Sequence, residues 1–266
     1  MRKSHDILEE CALKGKPLEC LVIDAHAHIG TGSYFPLYEN DAKSFLESMD
    51  RIGCSKCFIS HYAGLINHTD LALEEMKEVV KAAPERLYGY ITADVGYPQD
   101  IDRQLQEGFD ASFRAVKIHV TSSNLPYNHP NYDKVYAFAE KHAMPILIHT
   151  WGAELKELEM QYEKYPHVSF ILGHAGCCMQ EEYVRHAKTY SNVYLESCFS
   201  ASPKGLIEYF VNEGMADKLL WGSDVNFYSN EHQIGRVVFA DISLEDKYKI
   251  LGRNAAKILL KDEVTK

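Results

Sequence analysis

Two histidines with a single alanine between them, His26 and His28 in Asp24-Ala25-His26-Ala27-His28, are the sharpest chemical signal in the sequence. Alternate residues of a β-strand point to the same side. The two imidazoles would therefore project together, and imidazoles so placed can chelate a divalent metal. Asp24 shares that parity and reads as a support for the pair rather than a ligand. Three later segments end an apolar run in an ionisable residue: Ile146-Leu147-Ile148-His149, Leu172-Gly173-His174 and Trp221-Gly222-Ser223-Asp224. His149 reads as a further ligand, and His174 as another ligand or as a general acid and electrophile. Asp224 reads as a carboxylate that touches the metal and accepts a proton from water. Each residue alone has a plainer reading, as a core histidine, a helix cap or a turn residue. Lys117 and His119 share one strand face. A lysine there is costly unless paired or modified. Lys117 would hold a substrate anion, become carboxylated and bridge two metals, or form a polar network with His119. His61, Asp94 and Glu196 stay open between site and scaffold.

Groups so far apart in sequence act together only if the fold returns them to one place. Eight β-rich apolar runs are spaced along the chain: Leu21–His26, Lys56–His61, Leu87–Asp94, Ala115–Val120, Pro145–Thr150, Val168–His174, Asn192–Ser197 and Leu219–Asp224. Such runs suit strands covered on both faces. Helix signals fall between them, from a cap at Asn40 or Asp41 to Gly53 and from Asp70 to before Pro84. Asp100–Gly108, Tyr132–His142, Glu154–Tyr165, Glu181–Thr189 and Pro203–Gly214 follow, and Leu244–Leu260 closes the chain with a break near Gly252. Eight β-then-α units in 266 residues match a (β/α)8 TIM barrel, whose norm is about 250 residues. A doubly wound sheet is the alternative, but Ile29-Gly30-Thr31-Gly32-Ser33 lacks the third fingerprint glycine. With no linker or composition shift, residues 1–266 read as one domain. In a barrel all strand ends open on one face. Six of the thirteen histidines fall at those ends, which a scatter over loops and helices would not give.

The balance of 28 Lys+Arg against 38 Asp+Glu, a formal charge of −10, argues against nucleic acid or anionic membrane as a partner. No run of about 18 apolar residues suggests a membrane span. Residues 1–20 carry acidic side chains and no apolar stretch of the signal-peptide kind. Seven cysteines without an export signal read as reduced thiols of a cytoplasmic protein. Cys54 and Cys57 form a lone CxxC that reads as buried packing, and Cys177 and Cys178 read as free thiols.

In this order the motifs resemble the amidohydrolase superfamily, specifically the amidohydrolase-2 branch of metal-dependent TIM-barrel hydrolases and related decarboxylases. The matching pieces are Asp24-Ala25-His26-Ala27-His28, Val116-Lys117-Ile118-His119, Ile148-His149-Thr150, Gly173-His174-Ala175-Gly176, Trp221-Gly222-Ser223-Asp224-Val225 and Ile250-Leu251-Gly252-Arg253-Asn254. The resemblance implies that His26 and His28 are the first-strand metal pair and His149 the fifth-strand ligand. It implies that Asp224 is the eighth-strand carboxylate, both ligand and proton acceptor. His174 matches a histidine that is catalytic in one-metal members and a ligand in two-metal ones. Lys117 lies on the strand where two-metal members carry a carboxylated lysine. Nuclease relatives carry a fourth-strand Gly-Glu motif, which this chain lacks. Family habit adds a homodimer.

The expected chemistry is hydrolysis of a small amide, lactone or related carbonyl substrate by a metal-activated water. His26, His28, His149 and Asp224 hold the metal; Asp224 and His174 move protons; Lys117 and His119 contact substrate. Zinc leads, with manganese, iron(II) or cobalt as alternatives. A non-oxidative decarboxylase on the same scaffold is the rival, and a non-catalytic metal protein the third reading. Tyr34, Phe35, Tyr38, Tyr62, Tyr97, Tyr127, Trp151, Phe199, Phe227 and Tyr228 would supply aromatic walls, and Arg114 or Lys117 a carboxylate contact.

Overall fold

The apolar runs form eight strands, β1 (Ile23–Ile29), β2 (Lys56–His61), β3 (Leu87–Thr92), β4 (Ala115–Ile118), β5 (Ile146–His149), β6 (Phe170–Gly173), β7 (Val193–Glu196) and β8 (Leu219–Leu220). The computed structural model describes residues 6–30, 37–119, 123–199 and 203–261. The strands lie in chain order, and each of the seven neighbouring pairs is parallel. The ends meet, because Ala25 N–H donates to Trp221 O at 3.1 Å and Asp224 N–H to His26 O at 2.7 Å. The architecture is the expected TIM barrel. Its last strand is short, since beyond Leu220 the chain meets β1 in a looser arrangement with one bridge between Ala27 and Val225.

Two apolar layers hold the barrel. One fills the interior with Ile23, Ala25, Phe58, Tyr90, Leu147, Ile171 and Leu220. The other packs Val116, Ile118, Ile146, Ile148, Leu172 and Leu195 outward beneath the helices. The helix Ala42–Ile52 starts at Asp41, whose carboxylate accepts the Ser44 N–H, and stops at Gly53 in the left-handed region (φ 79°). It buries Phe45, Met49 and Ile52, one face at helical spacing.

Among the described residues the sequence reading omits the helices Ile7–Leu13, Tyr62–Leu65 and Asn230–Val238. The Glu154–Tyr165 stretch divides into a 3₁₀ turn, Leu155–Glu157, and a helix, Glu159–Lys164. The break near Gly252 is a π-helical turn, Lys249–Arg253, between Leu244–Tyr248 and Asn254–Leu259. A Cβ on Gly252 would lie 2.2 Å from Leu21 O, so close backbone packing, not chain reversal, requires the glycine.

Candidate active site

The floor of the site is set by an irregularity in β1. Its register with β2 pairs Asp24 with Cys57 but Ala27 with Ile59, so β1 carries one extra residue, a β-bulge. Ala25 packs into the barrel interior, and His26 and His28 reach the interior beyond it, while Ala27 and Ile29 face the helices. The expectation that Asp24 shares the face of His26 therefore fails. Its carboxylate lies across the strand from the imidazoles and accepts Ser223 Oγ–H (2.5 Å), Ser223 N–H (3.0 Å) and His26 N–H (3.0 Å). It ties β1 to the β8 end from behind, and burial pushes its pKa up to about 7.

Inside the mouth, His26 Nε2 stands 3.2 Å from His28 Nε2. Asp224 Oδ1 is 3.0 Å from His28 Nε2 and 3.8 Å from His26 Nε2. His174 Nε2 faces His149 Nδ1 at 3.1 Å, and the His174 ring centroid is 4.9 Å from that of His26. Both His174 and Asp224 hold positive φ, 59° and 57°. Side chains rarely occupy that region without a local constraint, and such residues cluster at functional sites. One ligand atom from each of His26, His28 and Asp224 lies within 4.8 Å of the others. His149 is not within that trio; it joins the site through His174.

Lys117 Nζ, buried, is 2.8 Å from His26 Nε2, and burial lowers its pKa to about 8. His119 stacks on His149 with ring centroids 3.9 Å apart, and its buried Nδ1 has no hydrogen-bond partner among the described residues. Burial, reinforced by Lys117, lowers its pKa to about 3. Burial also lowers the pKa values of His26, His28, His149 and His174. For Asp224 burial acts the other way, but the hydrogen bond to His28 and the fields of His26, His174 and His28 outweigh it and hold the carboxyl well below its ordinary range.

Neutral imidazoles and an ionised carboxylate are the protonation states that metal ligands need. His26, His28 and Asp224 also converge as electron-pair donors on one small volume. The described residues thus fit a divalent cation.

Several expected contributors lie elsewhere. His61 turns from the mouth: its Nε2 is 2.7 Å from Glu75 Oε2 and its Nδ1 accepts Ala63 N–H. Asp94 accepts Gly96 N–H and closes a turn. Arg114 lies over the Tyr88 ring, below the mouth. Tyr127 is buried and donates to His149 O at 2.5 Å, supporting the site instead of lining it. Tyr38 and Tyr97 are exposed, and Tyr34 and Phe35 lie outside the described residues. Two aromatic walls do form. Trp151 stacks on His174 (5.4 Å, 11°) with Phe199 edge-on at 5.0 Å, and Phe227 sits 5.0 Å from His28 with Tyr62 behind it at 5.5 Å.

Ser60 and Cys198 escaped the sequence reading. Ser60 Oγ lies 2.9 Å from His28 Nδ1. Cys198 O accepts from His174 Nδ1 at 3.0 Å, and Cys198 Sγ is 3.2 Å from His26 Nδ1. Glu196, left open, meets His26 Nδ1 at 2.7 Å. A serine inside β2 and a cysteine past β7 carry no motif; their one signal is parity, Ser60 with Phe58 of the barrel interior and Cys198 with Glu196.

The profile of a family described as Amidohydrolase matches residues 23–260. The fold superposes on 5-carboxyvanillate decarboxylase from Sphingomonas paucimobilis with a TM-score of 0.74, 15% identity and 91% and 99% of the two chains covered. A structure from Acinetobacter baumannii, described as a probable 2-pyrone-4,6-dicarboxylic acid hydrolase with citric acid bound, gives 0.70, 19% identity and 90% and 98% coverage. A dihydroxybenzoic acid decarboxylase from Polaromonas sp. JS666, with bound manganese and the inhibitor 2-nitroresorcinol, gives 0.72, 16% identity and 91% and 97% coverage. No curated protein matches the chain.

Proposed function

This chain belongs to the amidohydrolase family, and from that premise we propose that it is a divalent-metal-dependent hydrolase of a small amide or lactone. The observation that carries the reading is the convergence of His26, His28 and Asp224 within 4.8 Å, with His149 and His174 facing each other beside them. His26, His28, His149 and Asp224 would hold the cation. Mixed imidazole and carboxylate donors suit zinc, and the manganese in the Polaromonas structure puts manganese beside it. A cation held there supplies Lewis acidity and makes hydroxide available near neutral pH.

The chain's own groups do the rest. Asp224 takes a proton from the attacking water as its oxygen bonds to the carbonyl carbon and the π pair moves onto the carbonyl oxygen. His174 and Lys117 face that developing charge. When the pair returns and the bond to the leaving nitrogen or oxygen breaks, Asp224 hands over its proton. The unsatisfied Nδ1 of His119 gives a substrate polar group a partner, and Trp151, Phe199 and Phe227 flank a flat substrate and keep bulk water out.

Decarboxylation is the second reading, favoured by the decarboxylases among the structural neighbours. There a carbon–carbon bond breaks, carbon dioxide leaves and a proton replaces it, with no water attack. Turnover in oxygen-18 water separates the two: label in the product supports hydrolysis, whereas unlabelled product with carbon dioxide release supports the lyase. Asp224→Asn is expected to lower turnover by about 10²–10⁴-fold, the range for losing a general acid–base group. His26→Ala is expected to lose bound metal; equal metal content in variant and wild type would remove His26 from the ligand set.

A further inference from the structure

Glu196 reaches the barrel interior from β7 and is fully buried. Its Oε2 lies 2.7 Å from His26 Nδ1, on the far side of the ring from His28 and Asp224. The carboxylate is held at both oxygens. Oε1 accepts Cys198 N–H at 2.5 Å, and Oε2 accepts Cys198 Sγ–H at 3.0 Å. Space for it is reserved by the adjoining end of β8: a Cβ on Gly222 would stand 2.5 Å from Glu196 Oε1 and 2.7 Å from His26 Cβ.

An ionised carboxylate can only accept, and on the opposite side of the ring Lys117 Nζ, a donor only, lies 2.8 Å from His26 Nε2 and takes its lone pair. The hydrogen between it and His26 must therefore sit on Nδ1, leaving the Nε2 lone pair toward His28 and Asp224. The neighbouring imidazole is held differently. Ser60 Oγ, 2.9 Å from His28 Nδ1, is a hydroxyl that either donates or accepts, so it follows whichever tautomer Asp224, 3.0 Å from His28 Nε2, selects. Of the first-strand pair, His26 has a carboxylate behind Nδ1 and His28 a hydroxyl.

We propose that Glu196 is a positioning residue that fixes His26 as the Nδ1–H tautomer and so presents Nε2 as a ligand. The inference rests on the cation site proposed above and extends it to the residue that prepares it. Carboxylate partners of ligand histidines set ring orientation and raise basicity, and their loss typically weakens metal binding by about 10–100-fold. A rival use of the same atoms exists, because His26, His174 and Cys198 also bring one donor each within 4.8 Å and could hold a second ion at the Nδ1 side.

The test is nitrogen-15 NMR of the full chain with labelled imidazoles, first without metal. His26 is expected to show a protonated Nδ1 and a lone-pair Nε2. Glu196→Gln keeps the shape but has one acceptor oxygen for two tasks. If that oxygen stays with Cys198 N–H, the amide NH₂ faces Nδ1 and drives the proton to Nε2. The expected result is an inverted His26 signature and zinc or manganese affinity lower by about 10–100-fold, with partial recovery in Glu196→Asp. A wild-type His26 protonated at Nε2 would overturn the assignment, as would a Glu196→Gln protein with unchanged tautomer and affinity. Two ions per wild-type chain, one lost in Cys198→Ser, would favour the rival. Should Glu196→Gln fail to fold, the wild-type spectrum still decides. A wild type that binds no ion but shows the Nδ1–H form would defeat the cation site and leave the tautomer assignment standing.

Discussion

Two lysines are buried in this protein to the same degree and are treated in opposite ways. Lys247 Nζ, outside the barrel, meets Asp6 Oδ2 at 2.6 Å, Val238 O at 2.7 Å and Glu9 Oε1 at 3.3 Å. Three donors find three acceptors, two of them carboxylates. Lys117, inside the mouth, has one hydrogen-bond partner among the described residues, His26 Nε2, and burial lowers its pKa to about 8. A buried charge is tolerated when its partners are complete and costly when they are not. The first cluster is therefore finished scaffold, and the second keeps donor capacity for something that arrives. The difference teaches that burial alone does not mark a site; burial with unfilled hydrogen-bonding capacity does.

Breaking the complete cluster should have the largest effect on stability. Lys247→Met leaves Asp6 and Glu9 without their cation and is expected to cost about 3–5 kcal/mol in denaturant unfolding, with metal content per folded chain unchanged. A smaller loss is expected for Asp6→Asn, and it should depend on pH. Burial raises the Asp6 pKa, but the Lys247 contact and the helix N–H groups outweigh it and leave the folded value below 3.8. A depressed carboxyl contributes stability above its unfolded pKa and loses it as pH falls through the folded one. The wild type should therefore lead Asp6→Asn at neutral pH and lose that lead below pH 3.8; a lead that persists in acid would contradict the pairing. The smallest stability change belongs to Lys117→Met. Replacing an under-partnered buried amine by an apolar side chain of similar length is expected to leave stability within about 1 kcal/mol or raise it, while turnover falls. A large loss of stability there would put Lys117 in the same class as Lys247.

The barrel was legible because strands covered on both faces must be apolar throughout, and eight such runs stand out between amphipathic stretches. The polar cluster at the mouth was legible for a related reason: a polar residue ending such a run, as His149 does, has no apolar explanation. Local pattern fails where a single residue changes the geometry. The bulge in β1 reverses the face of Asp24, and nothing in Asp24-Ala25-His26 announces an extra residue. His61 ends β2 as His149 ends β5, yet it follows Ile59 on the outward face and turns to Glu75 of the helix Thr69–Ala82, a partner set by tertiary packing. Glu196 stayed open for the same reason: its partner, His26, is on another strand. Ser60 and Cys198 were invisible because small polar residues are ordinary in strands, and their significance lies in the imidazole nitrogens they face.

Imidazoles of β1 and a carboxylate from the adjoining end of β8 are proposed to hold one cation between them. Anomalous diffraction from crystals of the metal-loaded protein, recorded across the zinc and manganese absorption edges, tests it most directly. One peak per chain is expected within bonding distance of His26 Nε2, His28 Nε2 and Asp224. No peak there, or an ion bound elsewhere while those three side chains keep their hydrogen bonds to one another, would contradict it.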